Sequence, residues 1–264
     1  MYEFDYYRPA SLDEAAAMIS ADGEVKLLAG GMSLIPILKQ RLARYSGLVD
    51  LGALESLKGI RREGDAIVIG AMTPHATVAA SSVVESTIPA LAVLAGGIGD
   101  PLVRNCGTIG GSIANADPAA DYPAGLVGLG ATVWTNQRKI ASDDFFVGLF
   151  ETALQRGEII TAVSFPIPEV AGYAKFRHPA SRFAIVGVFV AKTADGVRVA
   201  VTGAGPSVFR VRDAEAALEK RFAASVLDGI EIKADGLNSD MHASAEYRAH
   251  CVGVLAKRAV LAAR

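Results

Sequence analysis

The chain has 264 residues, 51% hydrophobic and 20% charged, and its 26 basic and 28 acidic side chains leave a formal charge of −2. Near-neutrality argues against a nucleic-acid binder held by phosphate contacts and against a polybasic membrane anchor, and the apolar fraction argues against intrinsic disorder. No uncharged run is long enough to span a bilayer, so the apolar excess belongs in a core, a cofactor pocket or a partner surface.

In chain order, Ser11-Leu12-Asp13-Glu14 has the shape of a capping box and opens a helix through Ile19. Val25–Leu28 reads as a buried strand that breaks at Gly30-Gly31. A helix then carries Leu34, Ile35, Leu38 and Leu42 on one face, with Pro36 in its first turn. Gly47–Leu51 is a strand. Ile60–Arg62 and Ala66–Ile69 form a hairpin around Glu63-Gly64-Asp65. Pro74 and Pro89 open helices, and a glycine-dense region runs from Gly96 to Gly111. An apolar helix ends at Leu129. A second hairpin joins Ala131–Thr135 to Arg138–Ile140, and Glu158–Phe165 is a strand closed by Pro166-Ile167-Pro168, the best candidate domain boundary. Beyond it, Tyr173–Arg177, Phe183–Lys192 and Val197–Thr202 read as antiparallel strands, the last two joined by a tight turn at Ala194-Asp195-Gly196. Arg212–Phe222 and Ala243–Arg264 read as helices.

Two glycine segments stand out. Lys26–Leu34 is a strand ending in paired glycines before a helix, which lets main chain approach a ligand and present successive N–H groups to an anion. Gly107–Asp121 repeats the paired glycines, flanked by Thr108 and Ser112. Together they suggest a diphosphate gripped from both sides. A dinucleotide fingerprint fails on context, because Gly128-Leu129-Gly130 leads into a strand rather than a helix. Walker A and G-x-S-x-G sequences are absent. His75, His178, His242 and His250 lack metal-ligand spacing and read as surface or capping histidines. Cys106 reads as a small buried hydrophobe, and two cysteines are too few for an iron–sulfur cluster. The amino terminus lacks the basic and apolar regions of a secretion signal, so a cytoplasmic protein is expected.

Leu27–Leu34 together with Gly107–Asn115 resembles the FAD-binding medium subunits of molybdenum hydroxylases, the group that includes carbon monoxide dehydrogenase medium subunits and xanthine dehydrogenase flavin domains. The resemblance covers the whole chain and includes Gly157-Glu158-Ile159-Ile160, Tyr173–Arg177 and Ser244–Arg248. It implies an α+β fold: a two-subdomain FAD-binding PCMH-type (vanillyl-alcohol-oxidase-like) domain over 1–168, with subdomains about 1–56 and 57–168. A small carboxy-terminal α/β domain with an antiparallel sheet, of the CO dehydrogenase flavoprotein type, would occupy 169–264.

The resemblance also implies the site. Lys26, Leu27, Leu28, Ala29, Gly30, Gly31, Met32, Ser33 and Leu34 would wrap the FAD pyrophosphate, met from the other subdomain by Gly107, Thr108, Ile109, Gly110, Gly111 and Ser112. Asp121 matches an acid that contacts FAD, Ile98 and Ile160 match residues packed on it, and Lys175 and Phe183 match positions near the flavin ring. Without the resemblance, Lys175 reads as a solvated strand lysine and Asp121 as a helix N-cap. Met32 departs from the His, Gln or Thr common in relatives, and Ser112 from Asn. With no histidine in the first loop, the FAD is expected to be non-covalent. No catalytic or metal-binding residue is implied on this chain.

The implied function is electron transfer. A large molybdopterin-binding subunit and a small subunit with 2Fe-2S clusters would be the partners, in a dimer of heterotrimers, and electrons would pass through FAD to an external acceptor. Two alternatives are a self-contained FAD-dependent oxidoreductase of the same fold and a module that has lost its flavin.

Overall fold

The structure, a computed structural model, describes residues 1–21 and 23–264. The first unit comprises β1 (Asp5–Tyr7), α1 (Leu12–Ala21), β2 (Val25–Leu28), α2 (Leu34–Lys39) and β3 (Gly47–Asp50), its strands parallel in the order β1-β3-β2. The capping signal is used: Ser11 Oγ accepts the N–H of Glu14 at 3.1 Å, and Glu14 Oε2 accepts the N–H of Ala10 at 2.7 Å. β2 forms where expected but is only partly buried, because Val25, Lys26 and Leu27 line a cleft. α2 is shorter than its apolar spacing suggests. It stops at Lys39, Arg41 turns to φ 59°, and Leu42 falls outside the helix, exposed.

The second unit begins with the expected hairpin of β4 (Ile60–Glu63) and β5 (Ala66–Gly70). Six helices follow: α3 (His75–Ala79), α4 (Ser82–Thr87), α5 (Pro89–Gly96), α6 (Pro101–Cys106), α7 (Ile109–Asn115) and α8 (Tyr122–Leu129). The chain then returns through β6 (Thr132–Thr135), β7 (Lys139–Ala141), α9 (Ser142–Phe145), β8 (Phe146–Gly148), β9 (Glu151–Thr152) and β10 (Ile160–Pro166). The main sheet has the order β4-β5-β10-β6-β7 and is antiparallel throughout. The glycine-dense region is thus largely helical. Thr108 caps α7 by accepting the N–H of Gly111 at 3.1 Å, while Ile109 and Ile113 anchor the helix in the core. Cys106, expected to be buried, is exposed, and it is Cys251 that sits in a core.

The third unit is an antiparallel sheet of β11 (Val170–Arg177), β12 (Ala184–Thr193), β13 (Gly196–Thr202) and β14 (Phe209–Arg210), with α10 (Arg212–Lys220) and α11 (Ala245–Ala262). Its side chains alternate between two cores with period two. Val186, Val188 and Val190 join Val252, Leu255 and Ala259 of α11, while Tyr173, Phe189 and Ala191 join Leu91, Leu94 and Leu126 of α5 and α8. β12 is therefore covered on both faces, which explains its near-continuous apolar run.

Candidate functional site

A cleft of about 740 Å³ opens where the first unit meets the α3–α8 region, and the strip before β10 and the β11–β12 turn close its rim. That size suits a large organic ligand. Of Lys26–Leu34 all but Leu28 line it, and of Gly107–Ser112 all but Ile109; Ile98, Asp121, Ile160 and Phe183 also line it. Ile109 is wholly buried in the main core.

The two glycine segments are not equivalent. Gly31 takes φ 71° as the chain turns from β2 into α2, a conformation that glycine adopts freely and other residues do not. Among the described residues, no hydrogen bond is donated by the main-chain N–H of Gly30, Gly31, Met32 or Ser33, and the Ser33 hydroxyl makes no cap bond. Four consecutive unspent donors at a left-handed turn form a concavity suited to an anion. In the second segment the donors after Thr108 are spent. Ile109 and Gly110 bond Thr73 O and Ala71 O at 3.2 and 2.8 Å, and Gly111 and Ser112 bond Thr108 Oγ1 and O at 3.1 and 3.0 Å. This segment offers a close-packed wall and the hydroxyl of Ser112 rather than a row of N–H groups. The segments touch main chain to main chain: a Cβ on Gly30 would lie 2.0 Å from Cys106 O.

Asp121 and Lys175 meet, though not as expected. Asp121 occupies the N-cap position of α8 without capping it. Its carboxylate accepts the hydroxyl of Tyr173 at 2.5 Å and the ammonium of Lys175 at 2.8 Å. Lys175 also donates to Gly97 O at 3.2 Å and lies behind the cleft wall, neither lining the cleft nor solvated. Burial raises the Asp121 pKa, and the Lys175 charge with the two hydrogen bonds works against that rise. The result is a buried, internally compensated charge pair whose acid lies in the cleft wall and whose base lies behind it.

Several wall residues carried no assigned role in the sequence. Glu158 accepts from Arg138 Nε at 2.9 Å, Thr135 Oγ1 at 2.8 Å and the N–H of Gln155 at 2.8 Å, fixing the strip before β10. Its pKa is lowered: burial pushes it up, but the Arg138 pair and these donors outweigh that. The Gly157-Glu158-Ile159-Ile160 motif was its signal. Phe150, at φ 55°, and Arg182, at φ 62°, reach the rim from two turns whose sequences carry no marker. His75 departs most from expectation. It is 4% exposed, lines the cleft, and is held neutral with its pKa lowered to about 4, first by burial and then by the charge of Arg104. His178 behaves as a capping residue, its Nδ1 accepting the N–H groups of Ala180 and Ser181 at 3.2 Å, and His242 and His250 are exposed.

Residues 2–168 match the family described as the FAD binding domain in molybdopterin dehydrogenase, and residues 171–263 match the CO dehydrogenase flavoprotein C-terminal domain. The chain is 38% identical to the nicotine 6-hydroxylase medium subunit of Paenarthrobacter nicotinovorans, covering 98% of this chain and 96% of that one. It is 36% identical to the carbon monoxide dehydrogenase medium chain of Afipia carboxidovorans, covering 97% and 95%. Its fold superposes on a chain of reconstituted CO dehydrogenase from Oligotropha carboxidovorans with a TM-score of 0.93 at 33% identity, over 99% of this chain and 97% of that one.

Proposed function

Since the chain belongs to the family of FAD-binding domains in molybdopterin dehydrogenases, we propose that its cleft holds FAD non-covalently through the unspent N–H groups of Gly30–Ser33. The protein is a medium, FAD-binding subunit of a molybdenum hydroxylase complex and functions as an oxidoreductase subunit. Bound FAD supplies the capacity to accept electrons singly or in pairs and release them to an external acceptor.

The residues of the chain do the rest. Gly30–Ser33 bind the anionic diphosphate, the observation that carries the assignment, with Lys26 adding a cation at the same wall. Gly111 and Ser112 close on it from the opposite side. Ile98, Ile160 and Phe183 exclude water from the apolar part of the cleft, and the Asp121–Lys175–Tyr173 trio keeps the adjoining wall polar and unable to relax. Glu158 is buried and held by the exposed Arg138, Thr135 and the N–H of Gln155, so it does not stand as a free base, and the self-contained-enzyme reading gains no support here.

Substrate chemistry is assigned to partner subunits carrying the molybdopterin and the 2Fe-2S clusters, because this chain's two cysteines cannot ligate such clusters. We assign the complex the architecture of a dimer of heterotrimers in the cytoplasm; no described helix is long and apolar enough to cross a membrane. The domains are assigned as 1–168 and 169–264. The deciding experiment is affinity capture of the tagged chain from its native host, with flavin, molybdenum and iron assayed on the eluate. Stoichiometric FAD accompanied by molybdenum- and iron-bearing chains is expected. A flavin-free eluate would refute the cleft assignment, and a flavoprotein that turns over substrate alone would refute the subunit assignment.

A further inference from the structure

His75 is anchored from three sides. Its N–H donates to Gly107 O at 2.9 Å, Ile109 N–H donates to Thr73 O at 3.2 Å, and Pro74 and Thr108 form an antiparallel bridge between these bonds. These bonds hold the main chain of His75 against the second glycine segment, and the imidazole is enclosed there. Its Nε2–Cδ2 edge fills the space that a side chain at position 107 would need: a Cβ there would lie 2.7 Å from Nε2 and 3.0 Å from Cδ2. Gly107 lines the cleft, as does His75 itself, so this edge belongs to the cleft wall.

The other nitrogen faces a different situation. Nδ1 is sealed in the interior with no hydrogen-bond partner, as is the hydroxyl of Tyr122, whose ring centroid lies 5.3 Å from that of His75. Leaving a buried polar atom unpaired costs about 1–3 kcal/mol. An orphaned N–H is a rarer arrangement than an under-satisfied acceptor, so the proton of the neutral ring belongs on Nε2, at the cleft wall. A leucine or phenylalanine would fill the same space without desolvating an imidazole. The packing alone gives no reason for histidine here.

We propose that His75 is a direct contact of the bound cofactor, donating its Nε2–H to an acceptor oxygen of FAD from beneath the second glycine segment. The inference rests on the assignment of the cleft to FAD. It adds to that assignment a side-chain donor that carries no charge, whose hydrogen bond persists across the neutral pH range.

The test uses the full-length chain, freed of flavin and titrated with FAD, with affinity read from flavin fluorescence and the environment from the visible absorption band. His75→Phe preserves a ring of similar size and removes both nitrogens. It is expected to bind FAD about tenfold more weakly, with a shifted absorption band, while the flavin-free variant is at least as heat-stable as the wild type. Independently of any variant's folding, the ¹⁵N resonances of the His75 imidazole in the wild-type chain, one of four histidines, should shift on FAD addition and report protonation at Nε2. Wild-type affinity and spectrum in His75→Phe, or unmoved His75 resonances in a chain that binds FAD, would overturn the proposal. A wild-type chain that binds no FAD would overturn the cleft assignment itself.

Discussion

Gly31 and Gly110 share a Gly-Gly sequence context and fail differently when substituted. A Cβ at Gly110 would lie 2.6 Å from Ala71 Cβ and 2.7 Å from Ala71 O, between α7 and the end of β5, so Gly110→Val is expected to yield insoluble protein. Gly31 lies at a left-handed turn where an L-residue costs about 1–2 kcal/mol, and its nearest obstacle is the flexible Ile35 side chain. Gly31→Ala should fold with a modestly lower melting temperature and a reduced ratio of flavin to protein absorbance. Full flavin stoichiometry in that variant would detach the first loop from the diphosphate. Sequence alone marks both glycines as ligand-facing; only the neighbours behind them separate the two cases.

His75 carries a pH signature at the same scale. Its pKa falls from 6.5 to about 4 on folding, so between those values the unfolded chain binds the extra proton and stability drops as pH falls. The full difference is roughly 3 kcal/mol, absent above pH 6.5 and complete below pH 4. Urea denaturation at pH 7 and pH 4.5 should show a smaller acid loss in His75→Phe than in the wild type. Equal losses would mean that the imidazole is not held neutral.

At the scale of elements, the hairpins and the capping box were legible because their signals are local: Glu63-Gly64-Asp65 and Ser11-x-x-Glu14 carry their own geometry. α7 was not legible, since glycines at its second and third positions read as loop and only the Thr108 cap with the burial of Ile109 and Ile113 overrides that preference. α4 escaped for a different reason, its Ser81 cap being unaccompanied by an apolar repeat. Without the resemblance Lys175 reads as a solvated strand lysine, because its partner lies 54 residues away. Glu158 is the element-scale clamp, joining the β6–β7 hairpin to β10. Glu158→Gln should cost about 1–3 kcal/mol in denaturant unfolding and loosen Ile159 and Ile160, read as faster amide exchange in that strip. An unchanged exchange pattern would contradict the clamp.

For the whole molecule, Pro166-Ile167-Pro168 interrupts the chain more sharply than it interrupts the packing. The core around α5 and α8 continues into Tyr173, Phe189 and Ala191, and a Cβ on Gly128 of α8 would lie 2.7 Å from Phe189 Cδ1. A fragment ending at residue 168 should therefore expose that apolar face, bind a hydrophobic dye and aggregate, whereas the full chain should unfold in one calorimetric transition. A soluble, cooperatively folding fragment would contradict this. The Asp121–Lys175 pair extends the point to biosynthesis. On the ribosome the carboxylate emerges 54 residues ahead of its counter-ion, so a nascent chain with β10 complete still has an uncompensated acid in the cleft wall. The final shape and charge of the cleft wall must await delivery of β11, which places a finished cofactor pocket late in translation.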